Sequence, residues 1–291
     1  MDLSAASPAA AEGVAFAKMH ACGNDFVVVD DRQGRLRGAE SALARDVCRR
    51  RLSLGADGLL VLRPGHTPGA FGMVFVNADG LVGEMCGNGA RCLAAFIHRL
   101  GLAQARTRLE TLAGPVTVDY RANGQIALDL PLAVPAGPGV TLQFGGQDWC
   151  FHPIDVGPPH VVCWVPDRAA LAAVPVLELG RFVRHHGAFA PRGCNVNFAA
   201  WDGARLHMRT YERGVEDETL GCGTGATAAV LLAQIQGQAQ GAVEVVTRSG
   251  DVLRVEPGAD GTGPRLIGGA HFVAHGVFDN PALEAWSRGG A

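Results

Sequence analysis

Met85–Ala95 reads MCGNGARCLAA and Gly221–Leu231 reads GCGTGATAAVL. These are two copies of one pattern: Cys-Gly-polar-Gly-Ala, then small and apolar residues suited to a helix. Their cysteines, Cys86 and Cys222, stand 136 residues apart in a chain of 291. At that offset Met73-Val74-Phe75 falls on Arg209-Thr210-Tyr211, and Asn77 falls on Arg213. Strand, polar turn, cysteine turn and helix therefore occur twice in order. The repeat predicts an α/β chain of the α+β type with two pseudo-symmetric domains. Each is a highly curved, barrel-like sheet around a central helix. Two cysteine-bearing turns also predict two half-sites facing one cleft, as expected for chemistry on both faces of one carbon.

Outward from these turns the pattern predicts helices over 39–52, 90–100, 177–186 and 226–236. Asn123-Gly124 is a hairpin signal. The Pro-, Gly- and Ala-rich stretch 131–139 reads as the linker. The domains are then 14–130, carrying Cys86, and 131–276, carrying Cys222, with 277–291 returning to the first. Residues 1–13 read as a disordered extension, since they are small and polar. They lack the basic and apolar regions of a secretory signal.

Composition excludes several classes. A net charge of −3 gives no basic footprint for nucleic acid. No apolar run approaches the roughly 18 residues of a membrane helix. The eight cysteines are too sparse for a disulfide scaffold and read as reduced thiols. Cys48, Cys92, Cys150 and Cys163 are expected to be ordinary buried thiols, and packing is the default for Cys22 and Cys194. Lys18 is the only lysine, so Schiff-base chemistry has a single candidate residue. Neither the histidines 185 and 186 nor 271 and 275 come with a supporting ligand cluster, and no metal site is expected.

A cysteine just before a helix favours the thiolate, because unpaired amides and the helix dipole stabilise negative charge. The glycines let backbone amides approach a ligand closely. The amides of Gly87, Asn88, Gly223 and Thr224 are thereby candidates for holding a carboxylate. They would also stabilise the charge that develops when a Cα proton leaves. One thiolate takes that proton and a thiol on the opposite face returns one. Two thiolates side by side repel, so the pair titrates as a unit. Glu212 and His160 are candidates for setting which cysteine holds the proton.

The segments KMHACGNDFVVVD, VNADG, MCGNGARC, NVNF and YERGVEDETLGCGTGATAA run from Lys18 to Ala229. In this order they resemble the motifs of the diaminopimelate epimerase family. The resemblance implies a cofactor-independent epimerase interconverting LL- and meso-diaminopimelate. It implies a homodimer in the bacterial cytoplasm, on the lysine and peptidoglycan route. Cys86 and Cys222 would be the acid/base pair, with Gly87, Asn88, Gly223 and Thr224 on the reacting carboxylate. Asn24, Asn77, Asn195, Glu212 and Arg213 would bind substrate, and His160 and Glu212 would tune the thiols.

One position departs from the family pattern G-N-P-H: this chain has Gly157-Pro158-Pro159-His160. Proline offers neither the donor nor the acceptor of that asparagine, and leaving a buried partner unpaired costs roughly 1–3 kcal/mol. A racemase or isomerase of the same fold with another amino-acid substrate is therefore a second reading. A small-molecule binder or thiol redox sensor is a third, from a different class.

Overall fold

The computed structural model describes residues 13–131, 134–258 and 262–278. Residues 1–12 and 279–291, which hold nearly all of the expected extension and C-terminal return, lie outside the described residues. The chain divides into two compact units. The first takes the chain up to Ala21, Asp25–Thr117 and the chain from Ala270 on; the second takes Cys22–Asn24 and Val118–Gly269.

In the first unit β1 (Val14–Ala21) alternates, burying Ala17, Met19 and Ala21. It pairs antiparallel with the closing strand His271–Phe278. β2 (Asn24–Asp30) connects through α1 (Glu40–Val47) to β3 (Gly58–Pro64), which runs parallel to it. β4 (Phe71–Asn77) runs antiparallel to β3 and pairs with the short β5 (Val82–Gly83). The central helix α2 (Gly87–Arg99) follows, then β6 (Arg106–Thr111), parallel to β4. β7 (Gly114–Tyr120) carries the chain out of the unit. β3 is a continuous apolar run because both of its faces are covered. Leu59 and Val61 pack with Leu43, Ala44 and Val47 of α1, while Leu60 lies against Gly89 of α2. Asn88 through Ala94 of α2 are buried without a break, as expected of a helix enclosed by its sheet.

The second unit begins with β8 (Ile126–Asp129), in a hairpin with β7. β9 (Val134–Pro135), β10 (Val140–Phe144), β11 (Gln147–Asp155) and β12 (Pro159–Trp164) follow. α3 (Arg168–Ala173) and α4 (Val176–Arg184) lead to β13 (Asn195–Trp201), parallel to β12. β14 (Leu206–Glu212) is antiparallel to β13 and to β15 (Asp217–Thr219). α5 (Gly223–Ile235) is the central helix, packed against β11, β12, β13 and β14. β16 (Val243–Val246) is parallel to β14, and β17 (Val252–Glu256) and β18 (Arg265–Gly268) complete the unit. The closing strand His271–Phe278 is β19.

Each unit thus repeats parallel, antiparallel and parallel pairings around one helix. The two helices even end alike, on Gly101 and Gly237 with φ 71° in both. Leu102 N–H returns to Ile97 O at 3.2 Å, and Gln238 N–H to Ala233 O at 2.8 Å. A left-handed glycine closes each helix, as in the Schellman motif.

The strands do not follow the helix offset. β4 starts at Phe71 and β14 at Leu206, one residue short of the 136 that separates the cysteines. Met73 therefore corresponds to Met208 rather than Arg209, and Asn77 to Glu212 rather than Arg213. The turn leading to Cys222 is one residue longer than that leading to Cys86. A one-residue slip moves every strand side chain to the other face, so the correction decides what lines each helix. Leu60 lies opposite Phe75, and Asn197 opposite Thr210, on the faces that meet Gly89 and Gly225.

Other expectations also change. Within 131–139, β9 pairs with β11, so the described part of that segment is not a linker; proline is tolerated where a strand needs no amide donor. The chain leaves the first unit inside β7, because β8 pairs with β18. The return to the first unit begins at Ala270, since β19 pairs with β1. α1 stops at Val47, and Arg51 at φ 69° is incompatible with its continuation to 52. α3 had no expected counterpart. Among the described residues no helix is long and apolar enough to cross a membrane.

Candidate active site

Each cysteine of the repeat is the N-cap of its central helix. Cys86 has φ −134° and ψ 120°, and Cys222 has φ −113° and ψ 113°. In both, Sγ accepts the amide of the third helical residue, Gly89 or Gly225, at 3.4 Å. The sulfur thus takes the place that a serine or aspartate oxygen usually fills, and a donor on sulfur favours its anionic form. Cys86 is half-buried and Cys222 is buried.

The glycine at the third position has a packing cause. A Cβ on Gly89 would stand 3.1 Å from Leu60 Cδ2 and 3.2 Å from Met73 Cε. A Cβ on Gly225 would collide with Asn197 Oδ1. Gly221 is required by the close approach of Cys22, whose Cβ would lie 2.6 Å from an added methyl. Cys22 and Gly23 both take positive φ, 53° and 77°, and turn the chain between the end of β1 at Ala21 and the start of β2 at Asn24.

In the first unit, Asn88 is buried and its Oδ1 accepts from Arg91 Nη2 at 2.6 Å. Arg91 is fully buried, and its Nη1 donates to Gly87 O at 3.4 Å. Asn77 ends β4, with Nδ2 donating to Leu81 O at 3.1 Å. Asp57 O accepts Ala78 N–H at 3.2 Å, which ties the Asn77 turn to the core of the unit. Asp57 also shares Arg50 with Asp25, both at 2.8 Å. Lys18, the lone lysine, pairs with Asp25 at 2.6 Å. Burial raises the Asp25 pKa, but the bonds and charges of Lys18 and Arg50 outweigh it and hold it below its ordinary value.

The second unit gathers most of the expected residues. Cys222 Sγ is 3.4 Å from Thr224 Oγ1, which is 3.1 Å from His160 Nε2. His160 is buried, and desolvation lowers its pKa to about 3, with Asp155 opposing and Arg213 adding to the effect. It is neutral at physiological pH. Asn195 donates to Pro159 O at 3.3 Å and accepts Arg213 N–H at 2.8 Å. The Arg213 side chain reaches Arg192 O at 3.2 Å. Pro158 sits in the turn before β12, where Val156 N–H bonds its carbonyl at 3.3 Å. Arg192 braces that turn through Asp155 at 3.0 Å and Gly157 O at 3.2 Å. Glu212 ends β14 on the face that carries Thr210.

Asn197, Thr210 and Arg192 were not anticipated. Asn195 and Asn197 are two apart in the strand NVNF and so share a face, a signal present in the sequence. Cys150 is exposed on β11, against expectation, while burial pushes the Cys48, Cys163 and Cys194 thiols up to about 12. Among the described residues no three His, Cys, Asp or Glu side chains are grouped to hold a metal.

Comparison with known proteins agrees with this architecture. The family model described as diaminopimelate epimerase matches residues 16–133 and 153–263. The chain is 39% identical over 280 residues to diaminopimelate epimerase of Aquifex aeolicus, covering 92% of this chain and 99% of that one. It is 38% identical over 278 residues to that of Archaeoglobus fulgidus, covering 91% and 96%. Among solved structures, a Bacillus anthracis phenazine biosynthesis protein of the PhzF family superposes with TM-score 0.72 at 14% identity, covering 92% and 100%. A probable proline racemase from Agrobacterium radiobacter superposes with TM-score 0.68 at 15% identity, covering 93% and 95%. Those two likenesses show a shared fold. On the family model and the sequence identities, the chain belongs to the diaminopimelate epimerase family.

Proposed function

We propose that the chain epimerises LL- and meso-diaminopimelate with Cys86 and Cys222 as acid and base and without a cofactor. The observation that carries the reading is the duplicated cap: twice, a cysteine sulfur takes the amide of a helix's third residue, with a Gly-polar pair between the two. In the reaction one thiolate removes the Cα proton and becomes a thiol. The electron pair delocalises into the carboxylate, held by the amides at Gly87, Asn88, Gly223 and Thr224. The other thiol delivers its proton to the opposite face and becomes the thiolate. The configuration at carbon is inverted, and the protonation states of the two sulfurs are exchanged.

Asn24, Asn77, Asn195, Glu212 and Arg213 bind the remaining polar groups, and arginine suits bidentate recognition of a carboxylate. His160 and Glu212 tune the thiols. A cytoplasmic homodimer belongs to the same reading, supported by the family resemblance. Pro158 favours one competing reading, in which the same chemistry acts on another amino acid. A racemisation screen of diaminopimelate, lysine, ornithine, histidine and glutamate decides between them. Turnover of diaminopimelate at least tenfold above the others is expected. Preference for another member of the set would move the substrate assignment, and tight binding of any of them without turnover would overturn the enzyme reading.

A further inference from the structure

Beneath Cys222 the inner face of the second unit carries a connected polar layer. Asn197 Nδ2 is 3.1 Å from His160 Nδ1 and donates to Val161 O at 3.0 Å. Its Oδ1 accepts from Thr210 Oγ1 at 3.0 Å. The carbonyl of Val161 can only accept, so the amide nitrogen must face it and the imidazole. His160 Nδ1 is consequently an acceptor, and in the neutral ring the proton sits on Nε2. Nε2–H then donates to Thr224 Oγ1, which leaves the threonine hydrogen for Cys222 Sγ. Asn195 Nδ2 stands farther from Nε2, at 3.5 Å, than Thr224 Oγ1 does, and donates to Pro159 O at 3.3 Å.

The first unit supplies the control. At the matching positions of β2, β3 and β4 it has Phe26, Leu60 and Phe75, as the ladders align them with His160, Asn197 and Thr210. Phe26 and Phe75 meet edge to face, with ring centroids 6.0 Å apart. The fold is therefore able to build this layer from hydrocarbon, and a buried polar layer is costly unless fully satisfied.

We propose that Asn197 is a positioning residue for catalysis: it locks His160 in the Nε2–H tautomer, so that Thr224 donates its hydroxyl to Cys222 and favours the thiolate there in the resting enzyme. The proposal rests on the reading of Cys222 as a catalytic thiol. No bond breaks along the chain; it only orients donors. The ionisable groups around this layer in the second unit are Asp155 and Arg213, whose charges His160 feels, Glu212 beyond Thr210 on β14, His152 toward the far end of α5, and Cys22 against Gly221.

The test uses the full chain with nitrogen-labelled histidine, plus alkylation of each cysteine followed by mass spectrometry across pH. The wild-type His160 signal should show an unprotonated Nδ1 between pH 5 and 9. In Asn197→Leu and Thr224→Val the Cys222 alkylation midpoint should rise by about one pH unit, while Thr224→Ser keeps it and the Cys86 midpoint stays within about 0.3 in all. Asn197→Leu should lower kcat about tenfold with KM within about twofold. A proton on Nδ1 in the wild type, or an unmoved Cys222 midpoint in folded Thr224→Val, overturns the proposal. If Asn197→Leu does not fold, those two readings still decide it. Both are made without substrate, so they judge this inference separately from the enzyme reading, which fails instead if Cys222→Ala retains turnover.

Discussion

The surroundings of α2 and α5 are one frame with two linings. Both helices have thirteen residues, a cysteine N-cap, a glycine at the third position and a left-handed glycine at the end. Around α2 the inner strand positions are Phe26, Leu60 and Phe75; around α5 they are His160, Asn197 and Thr210. What the two share is what the fold needs: a cap for the helix and a glycine that lets a strand approach it. What differs is not needed by the fold, because the other half does without it. The polar layer's proposed work is therefore on one thiol, and the surroundings of the two cysteines differ although the sequence pattern around them repeats.

Replacing the shared part should have the largest effect. Cys86→Ala and Cys222→Ala should each reduce epimerisation by at least about 10³-fold while leaving the unfolding midpoint within a few degrees, since acid–base groups contribute on that scale. Kinetics and thermal unfolding of both variants check this; a tenfold loss or less in either would remove that cysteine from the acid/base pair.

The third-position glycines sharpen the contrast. Gly225→Ala drives a methyl into Asn197 Oδ1, whereas Gly89→Ala meets the movable ends of Leu60 and Met73. The first should destabilise by about 1–3 kcal/mol through the broken network. The second should stay within about 1 kcal/mol, because alanine's helix propensity offsets the crowding. Equal urea midpoints for the two variants would mean that the linings do not differ in stiffness.

Acid should find the polar half first. His160 is neutral in the folded chain with a pKa lowered to about 3, against an ordinary value of 6.5. The unfolded state binds its proton first, so stability is full above about 6.5 and falls as pH drops from there toward 3. His160→Gln should flatten urea stability in that window, and an unchanged slope would show that His160 is not the titrating group. In the first unit, Asp25 is held below its ordinary 3.8 by Lys18 and Arg50. Its stabilisation is present above about pH 4 and lost below the lowered value. Asp25→Asn should cost about 1 kcal/mol or less at neutral pH, as for partly exposed pairs, with the difference from wild type vanishing in acid.

The repeat and the two central helices were legible in the sequence because Cys-Gly-polar-Gly-Ala recurs before a small and apolar run. The helices nonetheless start at Gly87 and Gly223, three residues before the expected 90 and 226, because the cysteine sulfurs cap a first turn made of the glycines. The strand register was not legible. A gapless offset put Asn77 on Arg213, and only the ladders show the extra residue that puts it on Glu212. The stretch 131–139 does not read as a strand because proline and glycine serve an edge strand as well as a loose connection, and β9 is such a strand. Asn197 was missed for a different reason. Its proposed role depends on the orientation of its amide, which Val161 O and Thr210 set, and both are distant from Asn197 in sequence. Arg192 likewise acts through contacts with Asp155 and Gly157 O that no motif records.

The central claim, two cysteines on opposite faces of one carbon, is tested most directly by epimerising LL-diaminopimelate in D₂O and following label in substrate and product from the first turnovers. The account predicts meso product carrying one deuterium at the inverted carbon while the remaining LL substrate stays unlabelled, because the proton removed and the proton returned belong to different thiols. Product that keeps the original proton, or label that enters substrate and product together from the start, would indicate a single base and contradict it.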